Sequence, residues 1–262
     1  MITIEHLSYK YPDGTIGLND INLTVRNGEV VTLIGANGTG KSTLLLALMG
    51  IIEFSGTASV FDIPVLKNNM RVIRSKMNLV FQNPDDQLFS PTVREDIAFG
   101  PLNLGWDDQK VDSAVTRALE TVRMKSVEDK IPQNLSYGEK KRVALATILA
   151  MEPEVILLDE PTAGLDPRSA GELIDILYGL NKNGTTLLVA THDLHTADEL
   201  ASRVVVLNEN KTIVAEGNSE EILNNHELLL TNNLLHRHIH RHNNEEHVHE
   251  HTHFQHERHH KK

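Results

Sequence analysis

Gly35-Ala-Asn-Gly-Thr-Gly-Lys-Ser42 decides the fold of this chain. The stretch has the spacing G-x-x-x-x-G-K-S. It follows an apolar run, Val30-Val-Thr-Leu-Ile34, and precedes Thr43-Leu-Leu-Leu-Ala-Leu-Met49. The first run reads as a strand and the second as the opening of a helix. Strand, glycine-rich loop and helix in that order form a cradle for polyphosphate. Glycines let backbone N–H groups close around phosphate oxygens. The helix N-terminus adds partial positive charge. Gly35, Ala36, Asn37, Gly38, Thr39, Gly40, Lys41, Ser42 and Thr43 are therefore the candidate nucleotide-binding residues. Lys41 is placed to reach the β- and γ-phosphates, and the Ser42 hydroxyl is a candidate Mg²⁺ ligand. The expectation is a protein that binds ATP or GTP.

Outward from the loop the pattern is first mixed and then alternating. Ile2–Tyr9 and Ile21–Val25 alternate apolar and polar residues, as half-buried strands do, with the turn signal Pro12-Asp-Gly14 between them. Val30–Ile34, Met77–Phe81, Val155–Leu158, Thr186–Ala190 and Val204–Leu207 are short apolar runs typical of strands covered on both faces. Thr43–Gly50, Asp107–Arg123, Gly138–Met151 and Ser169–Leu180 read as helices. This predicts an α/β fold with a largely parallel sheet and a helical insertion over about 83–150. From about Asn232 the composition turns to His, Asn and Glu, which predicts an ordered domain over 1–231 and a tail over 232–262 without order.

The chain has 262 residues and a formal net charge of −11. Residues 234–262 are one charge positive, so the acidic excess lies in the body. An acidic body argues against nucleic acid as a partner, which needs a basic face. Cysteine is absent, so disulfides and thiolate metal sites are excluded. The start of the chain lacks a basic-then-apolar signal pattern. No apolar run approaches the roughly 18 residues that suggest a membrane span.

Two further segments carry chemistry. Val155-Ile-Leu-Leu-Asp159 would deliver a carboxylate to the C-terminal edge of the sheet, where ligands bind in such folds. Asp159 is the candidate support for Mg²⁺. Glu160 follows directly, placed to polarise an attacking water. Leu135-Ser-Tyr-Gly-Glu139 precedes a basic helical run, with Ser136 and Glu139 spaced as a capping box.

Here the chain resembles the ATP-binding-cassette (ABC) ATPases, whose signature is Leu-Ser-Gly-Gly-Gln. The resemblance covers about residues 1–225. It implies a P-loop NTPase core with an antiparallel β subdomain and an inserted α-helical subdomain, and it implies ATP hydrolysis. Gln82 matches the Q-loop glutamine, a candidate catalytic residue and Mg²⁺ neighbour. Ala163-Gly-Leu-Asp166 matches the D-loop, and His192 matches the switch histidine. Tyr11 matches the aromatic residue that stacks on adenine. Ser136 and Gly138 match the positions that contact the γ-phosphate. Tyr137 and Glu139 depart from the signature. A carboxylate facing phosphate would be costly, so Glu139 is expected to turn away, toward Lys140 or Lys141. In the family two cassettes bury two ATP molecules head to tail. The working unit is then a dimer, with itself or with a similar ATPase.

The run Gln82-Asn-Pro-Asp-Asp-Gln-Leu-Phe89 and Ser90-Pro-Thr-Val-Arg-Glu-Asp-Ile-Ala-Phe-Gly-Pro101 resembles the energy-coupling-factor (ECF) ATPases. These drive vitamin and transition-metal importers. The resemblance implies a transmembrane subunit and a substrate-binding membrane component as partners, and a peripheral place on the cytoplasmic side of the cell membrane. Leu88, Phe89 and Phe99 are expected to offer the apolar docking surface. The tail bears on cargo, since eleven of the fifteen histidines lie between His236 and His260. His236, His238, His240, His242, His247, His249, His251 and His253 are spaced so that neighbours can share a Ni²⁺ or Co²⁺ ion. Cobalt or nickel import is the first expectation. A vitamin-type importer and a soluble metal-responsive switch are the alternatives.

Overall fold

The computed structural model describes residues 2–242 and 245–251, with 236–242 and 245–251 described by their backbone. Six strands form the central sheet, in the spatial order Ile213–Gly217, Arg203–Leu207, Val30–Ile34, Thr186–Thr191, Val155–Asp159 and Met77–Val80. Neighbours run parallel except Ile213–Gly217, which is antiparallel to Arg203–Leu207. Val30–Ile34 and Thr186–Thr191 are buried at every residue, as strands covered on both faces must be. Ile34 pairs with Thr191, and Asp159 pairs with Ala190. The loops that follow residues 34, 159 and 191 therefore emerge side by side, which is where an open parallel sheet gathers its ligand-binding groups.

Alternate residues of the sheet feed two cores. Leu33, Leu157 and Leu188 pack with Leu44 and Leu48 of the helix Lys41–Leu48 and with Ile2, Leu7 and Leu23. The last three belong to a four-stranded antiparallel sheet ordered Ile16–Val25, Ile2–Lys10, Ser55–Val60 and Ile63–Pro64. On the opposite face Ile156, Leu158 and Leu187 pack with Leu177 of the helix Pro167–Lys182 and with Ile97, Val115 and Leu145. These come from the helical insertion, made of Val93–Asn103, Asp108–Thr121 and Tyr137–Leu149. The α/β fold with an antiparallel subdomain and a helical insertion is as the sequence predicts.

The structure corrects three expectations. Residues 93–103, for which the sequence pattern predicts no element, form a helix. It is opened by a capping box between Thr92 and Glu95 and carries Pro101 in its last turn. Leu88 is not docking surface, because it is buried in the insertion's core. Phe89 and Phe99 are exposed, and their rings meet edge to face at 4.9 Å. Leu234 and Leu235, expected in the tail, are buried against Val204, Val206, Ile222 and Leu229, so the packed domain runs to residue 235. Beyond it, the backbone of 236–242 and 245–251 pairs as an antiparallel hairpin. Among the described residues no helix is long and apolar enough to cross a membrane.

Candidate active site

The loop between the strand Val30–Ile34 and the helix Lys41–Leu48 depends on its glycines. Gly40 has φ 103°, and a Cβ there would lie 2.5 Å from the Gly17 carbonyl oxygen. No other residue fits without moving backbone. Lys41 Nζ folds back into this loop and donates to the carbonyl oxygens of Gly35 at 2.7 Å and Ala36 at 3.1 Å. It also lies 3.8 Å from the Glu160 carboxylate. Burial pulls the Lys41 pKa down, against the opposing pull of Glu160 and Asp159. The ammonium is held in place, poorly solvated and poised to exchange carbonyls for phosphate oxygens.

Ser42 Oγ donates to Asp159 Oδ1 at 2.9 Å. Burial raises the Asp159 pKa, Ser42 opposes this, and the adjacent Glu160 adds to it. Two oxygen donors beside a phosphate loop, one of them a carboxylate short of positive charge, fit a hard divalent cation such as Mg²⁺. Among the described residues no group of three or more His, Cys, Asp or Glu could hold a metal ion. Phosphate oxygens would supply the remaining ligands.

Glu160 sits in a tight cage. Its Oε1 lies 2.8 Å from His192 Nδ1, and its Oε2 accepts from Thr191 Oγ1 at 2.9 Å. Burial pushes its pKa up, but the hydrogen bond and charge of His192, with Lys41 and Thr191, carry it below the ordinary value. In return the Glu160 hydrogen bond raises the His192 pKa against the effect of burial. Glu160 is also left-handed, with φ 45°, a conformation a non-glycine residue keeps only when its surroundings enforce it. Part of that enforcement comes from Lys141, 1% exposed, whose Nζ donates to the Glu160 carbonyl at 2.9 Å. Burial lowers the Lys141 pKa to about 8.

Lys41, Ser42 and Glu160 line a cleft of about 550 Å³ together with Tyr11, Gly17, Asn37, Gly38, Gly40, Thr43, Gln82 and Lys211. Tyr11 is pinned by its hydroxyl to Thr43 Oγ1 at 2.8 Å and edge-on to Tyr9. Its ring is 41% exposed, available as a stacking surface. Replacing Tyr11 by alanine is expected to weaken nucleotide binding by about 1–3 kcal/mol, the scale of base–aromatic stacking, with little change in maximal rate. Titration with a fluorescent ATP analogue measures it, and unchanged affinity would place the base on another residue. Sequence pattern alone missed Lys211, whose Nζ donates to the Gly38 carbonyl. It lies in the turn after Arg203–Leu207, and only the fold brings it to the loop.

Ser136, Gly138 and Asp166 are not among the residues that line this cleft. Ser136 caps the helix Tyr137–Leu149, and Asp166 caps Pro167–Lys182. Glu139 does not reach either lysine. Its Oε2 accepts from both the backbone N–H and the hydroxyl of Ser136, at 2.8 and 2.7 Å. Capping geometry places those donors nearer than any ammonium. Lys140 pairs with Asp85 instead, and Lys141 with Glu160. Tyr137 spans the site's edge, its hydroxyl toward the Gln82 carbonyl at 3.4 Å and its ring over Gly164. A Cβ at Gly164 would sit 3.0 Å from that ring. Of the tail histidines, His253, His256, His259 and His260 lie outside the described residues, and the others are placed by backbone alone.

Residues 18–163 match the family described as ABC transporter. The chain belongs to the ATP-binding cassette family. A second match, over residues 131–198, is to a family described as AAA domain, putative AbiEii toxin, Type IV TA system. Among relatives, this cassette is 49% identical over 232 residues to the energy-coupling factor transporter ATP-binding protein EcfA of Methanothermobacter thermautotrophicus, covering 87% of this chain and 74% of that protein. It is 46% identical over 237 residues to the EcfA of Methanocaldococcus jannaschii, covering 89% and 85%. Among solved structures, cbiO1 of Clostridium perfringens, part of the ABC transporter complex cbiONQ, superposes with a TM-score of 0.78 at 37% identity, covering 89% and 94%. An ATP-binding cassette solved as a dimer in a post-hydrolysis state with ADP and Pi gives 0.75 at 25% identity, covering 84% and 99%. This cassette is thus an ATP-hydrolysing transporter ATPase of the energy-coupling-factor type.

Proposed function

We propose that this chain energises an importer of cobalt or nickel ions, on the cytoplasmic side of a membrane, as one half of an ATPase dimer. The arrangement of the cleft supports the dimer. Lys41, Ser42, Asp159, Glu160 and His192 are joined by direct contacts at one sheet edge, whereas Ser136 and Asp166 make theirs at the starts of two helices. A second cassette, placed head to tail, would bring its signature serine to the open side of the nucleotide. It is a second copy of this chain or a similar ATPase. Mg²⁺, held by Ser42, Asp159 and the Gln82 side, would neutralise phosphate charge. Lys41 positions the phosphates. Glu160 accepts a proton from the attacking water while His192 holds its carboxylate in orientation. Phe89 and Phe99, exposed and in mutual contact, present an apolar face to a transmembrane subunit that works with a substrate-binding membrane component.

Cargo is the finer part of the proposal, and the single observation that carries it is the density of histidine after residue 235. Imidazole suits Ni²⁺ and Co²⁺. Truncation before His236 is expected to leave ATPase activity unchanged and to remove most Ni²⁺ bound in equilibrium dialysis at neutral pH. Binding by the intact chain should fall as pH drops through about 6.5, where imidazole protonates. A truncated chain that binds as much Ni²⁺ as the intact one would return a vitamin-type importer to equal standing. A chain that extracts from membranes without an integral partner would favour a soluble metal-responsive switch.

A further inference from the structure

Lys41 and Lys211 both line the nucleotide cleft, but Lys41 alone belongs to the phosphate loop's motif. Lys211 stands in the tight turn that joins Arg203–Leu207 to Ile213–Gly217. Asn208 closes that turn. Its carbonyl accepts from the Lys211 N–H at 3.0 Å, and its side-chain oxygen accepts from the N–H and the hydroxyl of Thr212 at 3.2 and 3.0 Å. Lys211 is left-handed there, with φ 63°. Glycine and asparagine take this conformation with the least strain. A lysine held in it points to a use for the side chain.

The residue is fixed at both ends. Its carbonyl accepts from the Asn19 N–H at 2.9 Å, in the strand Ile16–Val25 that also brings Gly17 to the cleft. Its Nζ donates to the Gly38 carbonyl of the phosphate loop. Lys41 holds loop carbonyls in the same way, at Gly35 and Ala36. A carbonyl is a neutral partner for an ammonium. An anionic oxygen makes the stronger, charge-assisted bond and displaces it. In a nucleotide the phosphates supply that oxygen. The chain as a whole carries a net charge of −11, so a cation fixed in the cleft also offsets the repulsion an anionic nucleotide meets on approach.

We propose that Lys211 is a second phosphate-binding lysine. It exchanges the Gly38 carbonyl for a phosphate oxygen when a nucleotide enters, and it acts on ATP and ADP alike because it reads charge and not the base. The inference is independent of the importer's cargo. Lys211→Asn is the test, since asparagine tolerates the left-handed turn and lacks the ammonium. Calorimetric titration of the full chain with Mg-ATP and with Mg-ADP is expected to show about tenfold weaker binding in this variant, the effect of losing a hydrogen bond to a charged group. In hydrolysis assays the change should fall on KM more than on kcat. Lys211→Arg restores the charge and should recover most of the affinity. Nucleotide binding by the unaltered chain should also weaken more steeply with added salt than binding by Lys211→Asn, because the missing interaction is ionic. Equal Mg-ATP affinity in Lys211→Asn and the unaltered chain would overturn the proposal. Weak binding that Lys211→Arg does not recover, with an unchanged salt dependence, would overturn it as well and leave Lys211 as a brace for the phosphate loop.

Discussion

Replacing Glu160 by glutamine is expected to lower ATP hydrolysis by about 10²–10⁴-fold, the range a positioned general base contributes, while Mg-ATP still binds. The phosphate contacts come from Lys41 and the loop, which the substitution leaves in place. The amide can keep one half of the cage, its oxygen accepting from Thr191 and its nitrogen directed to His192 Nδ1. It cannot take a proton from water. Nucleotide should therefore accumulate uncleaved and hold the dimer closed, visible as a doubled mass in light scattering with Mg-ATP. His192 supplies a second readout. Its raised pKa depends first on the Glu160 hydrogen bond, with burial and Lys41 pulling the other way. In Glu160→Gln the imidazole should titrate at lower pH than in the unaltered protein, as followed by NMR. Hydrolysis at a near-normal rate would remove Glu160 from its role.

Lys41→Met should act at an earlier step. One hydrogen bond to a charged group is worth about 1.5–3 kcal/mol, so nucleotide affinity should fall by roughly 10- to 150-fold. Methionine fills similar volume, and circular dichroism should confirm that the fold persists. The electrostatic consequence has the opposite sign at His192. Lys41 lowers the pKa of both Glu160 and His192. Without it both should rise, so the imidazole titrates at higher pH in Lys41→Met and at lower pH in Glu160→Gln. Movement in the same direction in both variants would mean that the three groups do not form one charge cluster. Unchanged nucleotide affinity in Lys41→Met would refute the phosphate contact.

The central sheet and the phosphate loop were legible because strand, loop and helix are local and their signals are strong. Asp159 and Glu160 were legible for the same reason, since a buried strand of known length fixes where its end emerges. The cage around Glu160 was not. His192 and Thr191 lie 32 and 31 residues away, and only the pairing of adjacent parallel strands makes them neighbours. The helix Val93–Asn103 was hidden by Gly100 and Pro101, which argue against a helix, although the Thr92–Glu95 capping box was in plain view. For Glu139 two local signals compete: the capping box with Ser136 and the charge of Lys140 and Lys141, and the shorter reach to Ser136 prevails.

The Lys141 contact with the Glu160 carbonyl has a consequence for motion. Lys141 is anchored in the helix that Ser136 begins, and the oxygen it holds belongs to the residue that activates water. Whatever displaces that helix would therefore be felt at the backbone of Glu160, so the start of the helix at Ser136 and the carboxylate that faces water are mechanically one lever.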